Sequence, residues 1–290
     1  MMGTRFHITL YSRDKGAADV AALAAFHYAA ALNKVCSDYD VTSELMQLNA
    51  STPNQVTPAS SILYDVLSRA KEIASLTGGA YDPTLGHHSY NWRMARKHNK
   101  LPSREKITFA KSHGGWKNYQ LDVQTQGIFK RIPNMRFDLG GIAKGYAADG
   151  MLDILKRRGI THVSITAGGE LRLGDPPPEK HGWKITIKTL AGEKTLTLSR
   201  CAVSTSGDLH QSVTIDGTRY SHIVDPSTGL GLTNRISATI IGKNATLTDA
   251  LATAYCVNPA LAIQGVKTLV ITEKPNGTLK ITSSANWVPR

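Results

Sequence analysis

Asp249 and Thr253 stand four residues apart in the string Thr248-Asp249-Ala250-Leu251-Ala252-Thr253, so on a helix they share a face. A carboxylate beside a hydroxyl offers hard oxygen ligands. Such a pair suits magnesium, which takes few protein ligands and leans on substrate phosphates. The same string also reads as a plain helix start, with Thr246 as N-cap and Asp249 three residues on. A second segment, Asp138-Leu139-Gly140-Gly141-Ile142-Ala143-Lys144-Gly145-Tyr146, places glycines just before a helix. Backbone amides at such a start can face an anionic phosphate. Neither the G-x-G-x-x-G dinucleotide spacing nor a P-loop is present, and a tight strand-to-helix turn explains the glycines equally well.

A third segment, Ser221-His222-Ile223-Val224-Asp225-Pro226-Ser227-Thr228-Gly229, puts a histidine ahead of an Asp-Pro turn. His222 could act as a general base near neutral pH, although a lone histidine is more often a hydrogen-bonded structural residue. A fourth, Gly78-Gly79-Ala80-Tyr81-Asp82-Pro83-Thr84, combines backbone freedom with polar turn residues, or simply closes a helix. His87-His88 resembles a metal pair but is discounted, because adjacent side chains diverge on helix and strand alike. Asp216-Gly217 reads as a hairpin turn.

The elements that must position these residues mix hairpins with helices, which predicts an α+β (mixed α/β) architecture. Strands are expected at Arg5–Ser12, Tyr119–Leu121, Gly127–Lys130, Val163–Thr166 and Leu171–Leu173. Further strands are expected at Trp183–Lys188, Lys194–Leu198, Cys201–Ser204, Gln211–Ile215, Ser221–Val224 and Ile236–Ile241. A last hairpin, Val266–Ile271 with Leu279–Thr282, turns around Asn276-Gly277. Apolar periodicity predicts helices over Ala17–Val35, Ser60–Leu76, Ala143–Arg158 and Thr248–Cys256. Gly86–Gly115 is irregular and basic, with short helices at best, and Arg136–Leu139 is a strand end or loop. Pro176-Pro177-Pro178 marks an exposed excursion. Neither a repeat nor a linker is seen, so residues 1–290 read as a single unit.

Composition excludes little beyond disorder: 41% hydrophobic and 19% charged residues are ordinary for 290 residues. The net charge of +12 favours anionic partners. It is spread along the chain, and its densest groups, Arg93–Lys100 and Lys156–Arg158, match no nucleic-acid module and read as solvated surface. The 3 cysteines, Cys36, Cys201 and Cys256, suggest neither a disulfide framework nor a cysteine zinc site. No transmembrane segment and no signal peptide is read in the sequence.

In order and wording these segments resemble the ApbE family of FAD:protein FMN transferases. The likeness starts at Met2-Gly3-Thr4 and runs through Tyr39, Ser43-Glu44-Leu45, Leu48-Asn49 and Gly79–Thr84. It continues through Asp138–Tyr146, Ala167–Glu170, Ser204–Gly207 and His222–Gly229 to Asp249–Thr253. The resemblance implies magnesium held by the Gly141 carbonyl with the Asp249 and Thr253 side chains. It implies FAD contacts at Met2, Tyr39, Ala80, Tyr81, Asp82, Asp138, Lys144, Ile223 and Asp225, with His222 as the proposed base. FMN would move from FAD to a Thr or Ser hydroxyl of an acceptor flavoprotein subunit, and AMP would leave. Two rivals share this site: an FAD pyrophosphatase with water as nucleophile, and a non-catalytic FAD-binding protein. Met46 stands where a small polar residue is expected, and Gly86–Trp92 departs from the family wording. Family members are usually exported lipoproteins. The lack of a leader or lipid-attachment cysteine here leaves a cytoplasmic location or a trimmed leader as alternatives.

Overall fold

A computed structural model describes residues 2–209 and 211–287. From the N-terminus, β1 (Phe6–Leu10) leads to α1 (Lys15–Cys36), α2 (Glu44–Ala50), β2 (Val56–Pro58) and α3 (Ser61–Leu76). Next come α4 (Gly86–His98), α5 (Arg104–Ser112), β3 (Tyr119–Asp122), β4 (Gly127–Lys130) and α6 (Ala143–Arg157). The second half is mostly strand: β5 (Val163–Ala167), β6 (Glu170–Leu173), β7 (Trp183–Thr189), β8 (Gly192–Leu198) and β9 (Ala202–Gly207). It continues with β10 (Ser212–Ile215), β11 (Thr218–Ser221), β12 (Ile236–Gly242), α7 (Ala245–Val257), β13 (Lys267–Glu273) and β14 (Leu279–Ser283).

Seven strands form one sheet in the order β1-β5-β6-β9-β12-β13-β14, and every neighbouring pair is antiparallel. This is the expected mixture of helix and sheet in its α+β form. Side chains alternate between the faces. Ile165, Ala202, Ala238 and Ile240 join the main core with Leu155 and Leu251 from α6 and α7. Leu173, Val203 and Ile241 point the other way and are covered by Trp183, Ile185, Ile187 and Leu196 of the β7–β8 hairpin. A third, small core of Trp92, Ala95, Ile215 and Tyr220 docks the β10–β11 hairpin on α4.

The basic stretch after Gly86 is more ordered than its sequence suggests: it forms α4, 13 residues long, and α5, 9 residues long. The buried face of α4 is Gly86, His88, Trp92 and Ala95, which is helically spaced but carries no large aliphatic side chain to announce it. Asn99 ends the helix in the left-handed conformation, and Ser103 caps α5. The sequence gives no expectation for α2, capped by Ser43 and buried through Leu45 and Leu48. Asn49 on α2 bonds both the amide and the carbonyl of Phe137, mimicking a strand partner for the 136–139 loop.

The expected strand Ser221–Val224 stops at Ser221. Beyond it the chain pairs loosely with the segment around Leu232, through Ser221 N–H to Leu232 O (2.7 Å) and Leu232 N–H to Ile223 O (2.9 Å). The N-cap of α7 is Asn244, not Thr246. Asp149 of α6 accepts bonds from the Ala245 amide, the Thr246 amide and the Thr246 hydroxyl. With those donors satisfied from outside the helix, Asp249 has no capping role. Asp216 and Gly217, both at positive φ, make the expected turn between β10 and β11. The three cysteines are free thiols. Among the described residues no helix is long and apolar enough to cross a membrane.

Candidate active site

A cleft of about 860 Å³ opens where the start of α6, the β6 and β9 strands, α7 and the His222 segment converge. That size suits a cofactor-sized ligand. Its floor depends on Gly145. A Cβ there would collide with the Ala245 carbonyl and lie 2.9 Å from the Asp249 Cβ, so only glycine lets α6 and α7 meet this closely. Asp249, 1% exposed, accepts the Gly145 amide at 3.0 Å. Lys144 sits 3.5 Å from both oxygens of Asp249 and donates to Gly140 O at 2.8 Å. Its ammonium is also 3.7 Å from Oε1 of Glu170, while Oε2 of that buried side chain has no partner.

Glu170 pairs in register with Ser204, so both project from the sheet face that meets α7. Ser206, two residues further along β9, brings its hydroxyl to 3.4 Å from Thr253 Oγ1. Gly141 lies beside them: a Cβ there would be 3.5 Å from Thr253 Oγ1 and 3.3 Å from the Tyr81 ring. Burial opposes the Lys144 charge, but Asp249 and Glu170 outweigh it and push the ammonium above the usual lysine range. Burial and then Asp249 push the Glu170 carboxyl well up, against the pull of Lys144; a cation neutralising Asp249 would remove the second of these causes and favour the ionised carboxylate.

Among the described residues no group of three or more His, Cys, Asp or Glu side chains could hold a metal. The set expected here needs only one carboxylate, a hydroxyl and a carbonyl. That donor set fits magnesium. Beside it, one oxygen of the buried Glu170 carboxyl is orphaned, a polar atom that a bound group in this cleft could use.

His222 lines the same cleft. Its Nδ1 lies 3.3 Å from Gln211 O, and with Nδ1 donating there, Nε2 is left as the acceptor. Burial lowers its pKa below 6.5, against the opposing bond to Gln211. The preceding residue is anchored by Trp92, whose Nε1 donates to Ser221 O at 2.9 Å. Arg219 ties the hairpin to buried Asp208, bonding both its carboxylate and its carbonyl (2.9 Å to the latter).

The structure brings Met2, Tyr39, Ala80, Tyr81, Asp82, Asp138, Gly141, Lys144, His222, Ile223, Asp249 and Thr253 to one cleft. Asp225 does not line it. Its Oδ1 accepts the Ser227 amide and hydroxyl, both at 2.7 Å, so this carboxylate builds the turn after His222. Asp82 is similarly engaged by the Thr84 amide and hydroxyl and the Trp116 amide. Asp138 accepts the Gly140 amide at 2.8 Å. Both carboxylates therefore shape turns at the cleft edge.

Sequence reasoning missed several lining residues. Arg93 and Arg96 fall in the basic run read as solvated surface, yet both line the cleft. Arg93 pairs with Asp38 and lies 4.3 Å over the ring of Tyr39, itself 78% exposed. Helical spacing of Ser89, Trp92, Arg93 and Arg96 is the signal that could have found them. Glu170 closes the quoted Ala167–Glu170 string without a role, and no local pattern reveals that it reaches Lys144.

Comparison with known proteins identifies relatives in sequence and in fold. A model of the ApbE family matches residues 2–269. The FAD:protein FMN transferase of Vibrio cholerae serotype O1 is 30% identical over 266 residues, 88% of this chain and 79% of that protein. The Pseudomonas stutzeri flavinyl transferase ApbE superposes with a TM-score of 0.87 at 26% identity, covering 98% of this chain and 92% of the other. The ApbE protein of Thermotoga maritima gives 0.84 at 31% identity, covering 96% and 94%. With the family matched along nearly its whole length and the fold shared, this chain belongs to the ApbE family.

Proposed function

We propose that this protein is a magnesium-dependent FAD:protein FMN transferase. It moves FMN from FAD to a threonine or serine hydroxyl of an acceptor flavoprotein and releases AMP. The observation that carries this reading is the oxygen set of Asp249, Thr253 and Gly141 at the floor of a cleft that His222 also lines. The likeness to the Vibrio cholerae FAD:protein FMN transferase supports it.

Asp249, Thr253 and the Gly141 carbonyl would hold magnesium. The ion would offset the charge that builds on the diphosphate during displacement. Lys144 adds a fixed positive charge on the same floor, and Tyr39 with Arg93 offers a flat cationic surface at the edge. Phosphoryl transfer needs mainly positioning and electrostatics, so one proton acceptor is enough. Nε2 of His222 takes the acceptor hydroxyl proton as the hydroxyl oxygen bonds to the FMN-side phosphorus. The P–O bond to the AMP side breaks, and its electron pair leaves with AMP. Burial of His222 favours its neutral form, the form that can accept a proton.

The test is incubation of the protein with FAD and magnesium, with and without a threonine-bearing acceptor domain. AMP together with a covalently fluorescent acceptor is the expected result. AMP with free FMN and no labelled acceptor would replace the transferase with a pyrophosphatase. Bound FAD without AMP in either tube would leave a flavin-binding protein.

A further inference from the structure

The cleft floor holds one ammonium and two carboxyls, and only one of the carboxyls belongs to the magnesium set. Lys144 is within 3.5 Å of Asp249 and 3.7 Å of Glu170. If magnesium occupies Asp249, the attraction between Lys144 and Asp249 works against the ion, because one carboxylate cannot satisfy both at full strength. Lys144 then needs another partner inside the cleft. Glu170 is the only side chain besides Asp249 that is ion-paired to it among the described residues. Glu170 is 3% exposed, it projects from the middle of the sheet, and its Oε2 is unsatisfied. A buried carboxyl with a spare oxygen is costly unless something uses it.

We propose that Glu170 is a positioning residue for Lys144. It shares the ammonium with Asp249 at the cleft floor and takes it over when a divalent cation occupies Asp249. This rests on the magnesium reading given above and adds a residue to which that reading assigns no part. Glu170 acts through Lys144 and does not itself ligate the ion. In its absence Asp249 is the sole carboxylate partner of Lys144, and the lysine competes fully with the cation.

Direct binding of Mn2+ to the whole protein, read by the loss of its free EPR signal without FAD, separates these ideas from catalysis. Glu170→Gln keeps shape and removes the negative charge that pairs with the ammonium. It should weaken Mn2+ binding about 10-fold in the Lys144 protein and no more than about 3-fold in the Lys144→Met background, a coupling within the range of contacting pairs. Lys144→Met alone should tighten Mn2+ binding, because the competitor is gone. Equal losses from Glu170→Gln in both backgrounds would overturn the inference, since Glu170 would then act on the cation directly. No tightening in Lys144→Met would overturn it as well, and that variant leaves Glu170 in place should Glu170→Gln fold poorly. Failure of the unaltered protein to bind Mn2+ at all would instead contradict the magnesium reading on which the inference stands.

Discussion

The floor and the histidine wall of the cleft are built in different ways. The floor is part of the main core: α6 and α7 meet at Gly145, and Asp249 is locked by the Gly145 amide and Lys144. The wall is a two-stranded hairpin with its own small core. It is attached through Trp92 Nε1 to Ser221 O and through Arg219 to Asp208. Close packing fixes the proposed cation set within a rigid frame, whereas a few long-range bonds aim the proposed proton acceptor. Substitutions in the floor should therefore cost stability and chemistry together. Substitutions in the wall should cost chemistry with little loss of stability.

The sharpest way to break that contrast is Gly145→Ala. The new methyl group collides with the Ala245 backbone, which has no flexible end to yield, and we expect a loss of about 3 kcal/mol, the upper end of ordinary overpacking. Denaturant unfolding measures it; stability within about 0.5 kcal/mol of wild type, the size of a neutral surface change, would show that the floor is not rigid.

His222→Ala comes next. Transfer should slow about 100-fold, the lower range for a lost general base, with FAD affinity altered much less. Equal losses in rate and affinity would make His222 a binding residue. The pH profile sharpens the point. Because burial lowers the His222 pKa, the residue protonates, and activity falls, only below the ordinary value of 6.5. An acid limb centred above 6.5 that survives in His222→Ala would assign the base elsewhere.

Trp92→Phe should have the smallest effect. The ring volume is largely kept but the bond to Ser221 O is lost, which is worth about 1 kcal/mol. We expect kcat to fall about 5-fold, in line with that bond, while the KM for FAD holds. A change confined to KM would mean that Trp92 supports binding and not the aim of His222.

The same contrast explains what the sequence made legible. The floor lies in two contiguous strings, Asp138–Tyr146 and Asp249–Thr253, whose glycines, lysine and helical spacing are visible in one dimension. Its supporting contacts are not. Asp149 caps α7 from 96 positions away, and Glu170 arrives on a central strand. His222 was legible as a residue, but its setting was not. Its strand ends one residue before it, and the helix that anchors it, α4, buries Gly86, His88, Trp92 and Ala95 in place of a recognisable apolar stripe. Asp225 shows how local contacts are invisible in one dimension. Its carboxylate accepts the Ser227 amide and hydroxyl and so builds the turn after His222.

The central claim is that the buried carboxylate of the floor makes FAD cleavage depend on a divalent cation. The most direct test is AMP release from FAD across a magnesium titration, for the unaltered protein and for Asp249→Ala, with folding checked by circular dichroism. The account predicts AMP that rises with magnesium and vanishes with chelator in the first, and no release at any magnesium concentration from a folded Asp249→Ala. Equal release by the variant, or undiminished release in chelator, would contradict it.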